Sequence, residues 1–594
     1  MASTDRKLPE LLAPCGSPEA LEAAIEAGAD AVYFGGTVFN ARMNAKNFGR
    51  AEIKAAVARC HGAGVKAYAT LNTQIYDREM KTALEHAAFL REAGIDALII
   101  TDPGLISLIR EHLPDLELHA STQMTAHNLA AAETLYDLGF SRVVGARELS
   151  EANVRTLCTS RAEIELFVHG AICVSCSGQC LMSAMLGGRS GNRGECAQPC
   201  RMSYNGEYPL SMKDMCLASH IPALIEAGVA SLKIEGRMKS PAYVYGVTKI
   251  YRRLLDERRA ATEKELTELQ RLFSRSGFTD GYFTENLGRH MLGVRSERDI
   301  ADSRAVGYRG VKPTAAPAEE TPTGRSPLPL PDKLPFPPKR KPAKAILTAS
   351  FHGANQIPDS HGFTHVYLPL SAYESVADGV ALPPVIFDDR MDEVRRRLEQ
   401  AAKRGAKHLM VSNIGHLSLA KEFDLVPHGS HRLNTFNTFT GGFWSREAEL
   451  AGLILSCELI LPQIRDITLP EGVRKGAIVY GRLPLMLLER PIGKPALRDT
   501  RGVIFPILRE EGRDLLLNSV PIYMADQPDR LDGAGIEDRH FLFTAESRGE
   551  VMRVIYAYAH KLPAKEKEPI KRIKSGDGKG RCPLPPCDPR GVAP

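Results

Sequence analysis

The stretch ELLAPCGSPEALEAAIEAGADAVYFG, Glu10–Gly35, reads as one strand–helix–strand unit. Its two ends, ELLAP (Glu10–Pro14) and AVYFG (Ala31–Gly35), are short and nearly continuous in apolar side chains, as strands buried on both faces must be. Between them SPEALEAAIEA (Ser17–Ala27) has helical periodicity, with Ser17 placed to cap its start and Gly28 to stop it. Working outward, the same kind of run recurs as KAYATLN (Lys66–Asn72), ALIITD (Ala97–Asp102), ELHAST (Glu117–Thr122), RVVGA (Arg142–Ala146), IELFVHG (Ile164–Gly170) and SLKIEG (Ser231–Gly236). Eight such strands with helical crossovers predict an α/β chain that begins with a (β/α)8 TIM-like barrel; an open doubly wound sheet is the alternative. Barrel enzymes build their site where strands end. Here those ends carry Asn72, Asp102, His119, Ser121, Gln123, Arg147, Glu148, His169, Glu235 and Arg237.

The chain of 594 residues is long enough for two or three domains. Charged residues make up 25% and hydrophobic ones 43%, the balance of a soluble globular protein, and the core needs no disulfide to hold it. A net charge of +5 permits an RNA partner without arguing for one. The polar N-terminus does not read as a signal peptide and no apolar run reaches membrane-spanning length, so the expectation is a cytoplasmic protein with no membrane partner.

Residues 1–240 are assigned to the barrel, with a cysteine-rich insert at about 170–216 between its seventh and eighth strands. Residues 241–312 are read as a helical extension packed outside the barrel. Residues 313–343, with ten prolines, read as a semi-rigid linker. Residues 344–560 echo the first half: LMVSNIGHL (Leu409–Leu417) resembles the ALIITDPGL region, RLNTFNTFT (Arg432–Thr440) follows as LHASTQMT (Leu118–Thr125) does, LILSCEL (Leu453–Leu459) matches VVGAREL, and AIVYGRLPLM (Ala477–Met486) matches LFVHGAICVS. An internal duplication follows, giving a second, degenerate barrel-like α/β module in which the cysteine loop is missing. Residues 561–594 read as a disordered basic tail.

Six of the twelve cysteines fall between Cys173 and Cys216. Crowding of that kind in a chain without secretory signals points to metal or redox chemistry rather than disulfides. In HGAICVSCSGQCLMSAMLGGRSGNRGECAQPCR, His169–Arg201, four thiolates would suit an iron–sulfur cluster. Zinc is the rival: Cys196 and Cys200 fit a zinc knuckle, and Cys176 with Cys180 would complete it. Spacing does not separate the two metals.

These segments, with AGADAVYFG, LHASTQ and KIEGRMKSPAY (Lys233–Tyr243), resemble peptidase family U32, the collagenase-like proteases, over about the first 300 residues. The second half resembles the accessory region of longer members. The resemblance implies an oxygen-independent hydroxylase: relatives act on ubiquinone precursors, on the wobble uridine of tRNA, or on a cytidine of large-subunit ribosomal RNA. It further implies prephenate as co-substrate, RNA as partner, dependence on iron–sulfur assembly machinery, and a [4Fe–4S] cluster on Cys173, Cys180, Cys196 and Cys200. Two departures stand out. Cys176 occupies a position where many relatives carry Tyr, and the region ERPIGKPALRDTR (Glu489–Arg501) lacks the cysteines associated with longer members.

For the chemistry, His119, Gln123, His169 and Glu235 are the candidate catalytic groups; imidazoles titrate near the pH where proton transfer is useful. Asn72, Arg147, Arg189, Arg193, Lys233 and Arg237 are the candidate substrate-binding groups, since guanidinium pairs bidentately with carboxylates. Lys233, Glu235 and Arg237 alternate along one strand and so share a face. No His-Glu-x-x-His or Gly-x-Ser-x-Gly motif supports the alternative of an endopeptidase. A non-catalytic RNA-binding or assembly factor with a structural cluster is the remaining alternative.

Overall fold

The computed structural model describes residues 7–563, apart from 44, 309 and 311–324. The basic tail beyond residue 563 and the start of the proline-rich segment therefore lie outside the described residues. Seven strands come first: β1 (Glu10–Pro14), β2 (Ala31–Gly35), β3 (Lys66–Leu71), β4 (Ala97–Ile100), β5 (Leu118–Ala120), β6 (Arg142–Val144) and β7 (Glu163–Ala171). A short β8 (Asp214–Cys216) then pairs antiparallel with β7, and β9 (Ser231–Ile234) pairs parallel with both β7 and β1, closing an eight-stranded barrel. A two-residue β10 (Phe278–Thr279) extends β8 outside it. The capping chemistry is as the sequence implies: Ser17 Oγ accepts from Ala20 N, and Gly28 beyond the helix adopts φ +85°. The helix Pro241–Asp256 is the eighth crossover of this barrel and packs on the first helix. The expected boundary at residue 240 thus cuts the barrel short.

The second half repeats the plan. Strands β11 (Ile346–Phe351), β12 (His365–Pro369), β13 (Gly379–Ala381), β14 (His408–Val411), β15 (Val426–Gly429), β16 (Gly452–Ile454) and β17 (Arg474–Gly481) run parallel in order. An inserted antiparallel sheet of β18 (Pro484–Leu488), β19 (Ala496–Arg498), β20 (Ile504–Glu510) and β21 (Arg513–Leu517) follows, then β22 (Ile522–Tyr523) and β23 (Asp538–Phe543), which closes the second barrel against β11 and β17. So the second module carries its own insert at the place of the cysteine loop. The register also corrects the duplication: PHGSHRLNTFNT (427–438) is equivalent to LHASTQMTAHNL (118–129), five residues earlier than read from sequence. Both segments run strand, 3-10 turn, left-handed residue (Thr125, Asn434), then an Asn cap (Asn128, Asn437). Apolar similarity alone slides along such runs; the caps fix the register.

The barrels meet through the loops after their third, fourth and fifth strands, related by an approximate twofold. Asn128 caps its own helix with Oδ1 and donates Nδ2 to Ile386 O at 2.8 Å; Asn437 caps its own and donates to Ile75 O at 2.8 Å. Leu129 N donates to the Asp388 carboxylate at 3.0 Å, and Thr438 N to Asp77 at 2.8 Å. Gly104 sits at this contact, where an added Cβ would lie 2.5 Å from Thr440 N, a backbone atom with no room to yield. Gly104→Ala is therefore expected to destabilise the chain by about 1–3 kcal/mol through overpacking, read as a lowered thermal midpoint with the barrels melting separately. The described part of the proline-rich segment is strapped down: Arg91 donates to Ser326 O, and Arg340 pairs with Glu537. No helix among the described residues is long and apolar enough to cross a membrane.

Candidate active site

At the C-terminal end of β9, Glu235 is surrounded by guanidinium groups. Arg42, on the loop after β2, reaches Glu235 Oε1 at 3.3 Å. That loop is pinned by Asn72 Oδ1, which accepts from Ala41 N at 3.0 Å, and by Asn40 Oδ1, which accepts from Arg42 N at 2.9 Å. Arg237 donates to Thr70 Oγ1 at 3.0 Å, and Arg147 lies over the Phe167 ring with a buried Nε that has no protein partner. Burial by itself would raise the Glu235 carboxyl, but Arg42, Arg147, Arg237 and Lys233 outweigh it and hold the carboxylate ionised. Burial, together with Arg42 nearby, lowers Arg237 to about 10, still charged at neutral pH.

The cysteine loop leaves β7 beside this group. Its backbone is stitched to the second module's inserted sheet: Cys176 N donates to Leu487 O and Leu181 N to Leu485 O, each at 2.8 Å, and Asn205 N donates to Arg498 O at 2.9 Å. Gly194, at φ +80°, is essential to the close approach: a Cβ there would stand 2.2 Å from Asn40 O, so the loop carrying Cys196 lies directly against the Arg42 segment. The thiols of Cys173, Cys180, Cys196 and Cys200 all interact electrostatically with one another. Cys176 stands apart, buried beside Glu148, Glu489 and Arg513. Burial raises the Cys180, Cys196 and Cys200 thiols, Cys200 to about 12, so metal binding there must displace protons. Gln198 N donates to Cys196 Sγ at 3.3 Å, and Arg42, Arg201 and Arg275 face these sulfurs.

The donor set fits an anionic thiolate-ligated cluster: four thiols, amide hydrogen bonding to sulfur, and cations opposite. A single zinc would require sulfur–sulfur edges of about 3.8 Å, from Zn–S bonds near 2.3 Å. Among the described residues, no three of these sulfurs lie within 4.8 Å of one another.

The other residues singled out from sequence are dispersed. His169 is buried under the rim, edge-on to Tyr251 and Phe278, and burial lowers it to about 4, leaving a neutral ring. His119 points into the barrel, against Tyr68 and 3.3 Å from Glu117 Oε1, away from the thiols. Lys233 is an interior residue paired with Glu165 at 2.7 Å. Both strands are buried on both faces, so their side chains alternate into the barrel and cannot all reach its mouth. Arg193 clamps Glu79 and stacks on Tyr76, and Arg189 donates to Glu195 O; neither joins the Glu235 group. Gln123 lies half-buried on the turn after β5. Sequence reading missed Arg42, Arg201 and Arg275. Arg201 adjoins Cys200, and Arg42 follows the end of β2, where a barrel site is built; those were the available signals.

Fold and site together define an α/β barrel protein with a four-thiol loop over an arginine-rich mouth. The chain belongs to peptidase family U32, whose model matches residues 16–292. It is 37% identical over 314 residues to the Bacillus subtilis tRNA hydroxylation protein P1, covering 48% of this chain and 74% of that one. It is 41% identical over 286 residues to the Escherichia coli 23S rRNA 5-hydroxycytidine synthase, covering 46% of this chain but 42% of that one. It is 36% identical over 306 residues to a Porphyromonas gingivalis collagenase, covering 46% and 73%.

Proposed function

We propose that this chain is an oxygen-independent RNA hydroxylase, acting on a tRNA uridine or a ribosomal RNA cytidine with prephenate as co-substrate. The observation that carries the reading is the convergence of four thiols beside the Arg42–Glu235–Arg237 group. Relatives named for tRNA and rRNA hydroxylation support the reaction class. Cys173, Cys180, Cys196 and Cys200 would hold a [4Fe–4S] cluster, delivered by iron–sulfur assembly machinery. Such a cluster supplies electron transfer, or Lewis acidity where one iron is open to substrate.

The chain's own residues account for co-substrate binding. Arg42, Arg147 and Arg237 offer guanidinium groups to a dicarboxylate such as prephenate. Glu235 orients Arg42 and limits the net positive charge, so that an anion is held but released. Arg237→Gln is expected to raise the KM for the anionic co-substrate about 10–100-fold, equivalent to 1.4–2.8 kcal/mol, while the visible cluster absorbance is unchanged.

The peptidase alternative is favoured by names alone: that of the family, of the collagenase relative and of a Methanocaldococcus jannaschii relative called an uncharacterized protease. Buried Ser177 and His127 share Glu148, but the serine hydroxyl donates to Glu148 at 3.0 Å and the imidazole bonds Glu148 and Thr125 O, so the histidine does not face the serine as a Ser–His pair requires. Nucleoside mass spectrometry of tRNA and rRNA from a deletion strain tests the reading. A missing hydroxylated pyrimidine, restored by the intact gene, is expected. Unaltered RNA, with cleavage of denatured collagen by the purified protein, would establish the peptidase instead.

A further inference from the structure

At the opposite end of the second barrel, the starts of three neighbouring strands bring together His365, Asp378 and His408, whose ligand atoms all lie within 4.8 Å of one another. His365 Nδ1 is 3.0 Å and His408 Nε2 3.7 Å from Asp378 Oδ2. The edge of a tetrahedron with bonds of 2.0–2.1 Å to zinc is about 3.3 Å, and these two separations bracket it. The carboxylate is aimed by its other oxygen, which accepts from Val366 N at 2.8 Å. His408 is aimed in turn: its Nδ1 lies 3.1 Å from Nε2 of the buried His428, the outer-shell hydrogen bond that fixes a ligating imidazole's tautomer and orientation. The three candidate ligands are 15–36% exposed, so an ion can enter and a solvent molecule can complete its coordination.

Comparison with the first barrel removes the bland explanation that such a cluster is a shared fold feature. By strand register, His365, Asp378 and His408 occupy the positions of Ala31, Ala67 and Ala97. Tyr68, which fills that end of the first barrel, is replaced by Gly379, where a Cβ would already meet the Tyr367 ring. Arg142, anchor of the first barrel's buried ion pairs, is replaced by Gly452, which abuts His428. The first barrel closes this end with an ionic network around Arg142; the second empties the same layer at Gly379 and Gly452, keeps the imidazole of His119 as His428, and adds His365 and His408.

We propose that His365, Asp378 and His408 form a site for one divalent transition ion of the zinc type, with His428 positioning His408. Two imidazoles and a carboxylate suit zinc, cobalt or nickel rather than calcium or magnesium. The site is distinct from the thiol loop and, being at the N-terminal face, stabilises the second barrel rather than taking part in the reaction.

The test is titration of the anaerobically purified, cluster-loaded protein with cobalt(II), followed by visible difference spectroscopy, alongside Asp378→Asn and His365→Gln. One equivalent should give d–d bands with no thiolate-to-cobalt charge transfer, and each variant should weaken binding at least about 10-fold. Zinc should raise the thermal midpoint of the wild type and not of the variants. Copper(II) bound to the wild type should show nitrogen superhyperfine splitting in its paramagnetic resonance spectrum, which keeps the test decisive if a variant fails to fold. No binding by the wild type, undiminished binding by both variants, or a copper spectrum without nitrogen coupling would overturn the proposal.

Discussion

Cys200→Ser is expected to abolish both the visible absorbance of the anaerobically purified protein and RNA hydroxylation, by more than the 10–100-fold typical of an outer-shell change. Cys176→Ser is the discriminating control. Its thiol is buried against Glu148 and Arg513, apart from the other four, so its loss should leave absorbance and product nearly unchanged. Equal losses in both variants, measured by iron content per chain and nucleoside mass spectrometry, would put Cys176 in the ligand set and refute the assignment. The second barrel enters this result, because Cys176 N and Leu181 N are bonded to β18. The accessory half is a structural wall of the site, and a chain truncated before it should lose the cluster as well.

The largest stability effect is expected inside the first barrel. Glu165 is fully buried and pairs with Lys233 at 2.7 Å and Arg142 at 3.5 Å; Arg142 also meets Glu10 at 2.6 Å. Glu165→Gln takes the carboxylate from buried Lys233, while Arg142 keeps Glu10 and Glu163, a loss of about 3–5 kcal/mol. At roughly 2–4 °C per kcal/mol for a domain of this size, the midpoint should fall by roughly 10 °C. The pH dependence has a definite sign. Burial would raise Glu165, but Lys233, Arg142 and His119 together hold it below its usual range. A depressed carboxyl contributes stability above its unfolded pKa, near 4.3, and loses it as pH falls through the folded value. The wild type should therefore show a steeper acid limb below about pH 4.3 than the variant. The pair Glu165→Met with Lys233→Met should recover most of the loss. A single variant as stable as the wild type would show that the network contributes nothing.

Much was legible from sequence because it is written locally. Buried parallel strands must be apolar runs, and all eight runs of the first half became strands within a few residues of their read limits. The crowding of cysteines between Cys173 and Cys200 was legible because all of them fall in one short stretch of chain. The second barrel was visible as an echo, but not its register, since apolar similarity tolerates sliding until caps and turns are placed. His119 and Lys233 were misplaced for a related reason: a strand's end is readable, whereas the layer that a side chain occupies depends on strand tilt and stagger around the closed barrel.

The sequence by itself determined the α/β class, the first barrel's strand order, the duplication and the place of the cysteine loop, because each follows from periodicity or short spacing along the chain. Only the tertiary structure decided that Arg42 meets Glu235, that the inserted sheet of the second barrel backs the thiol loop, and that His365, Asp378 and His408 converge. These contacts join residues 13 to 311 positions apart through barrel closure and the approximate twofold between barrels. Distances of that kind are set by how strands stagger and pack, and no local pattern of residues encodes them.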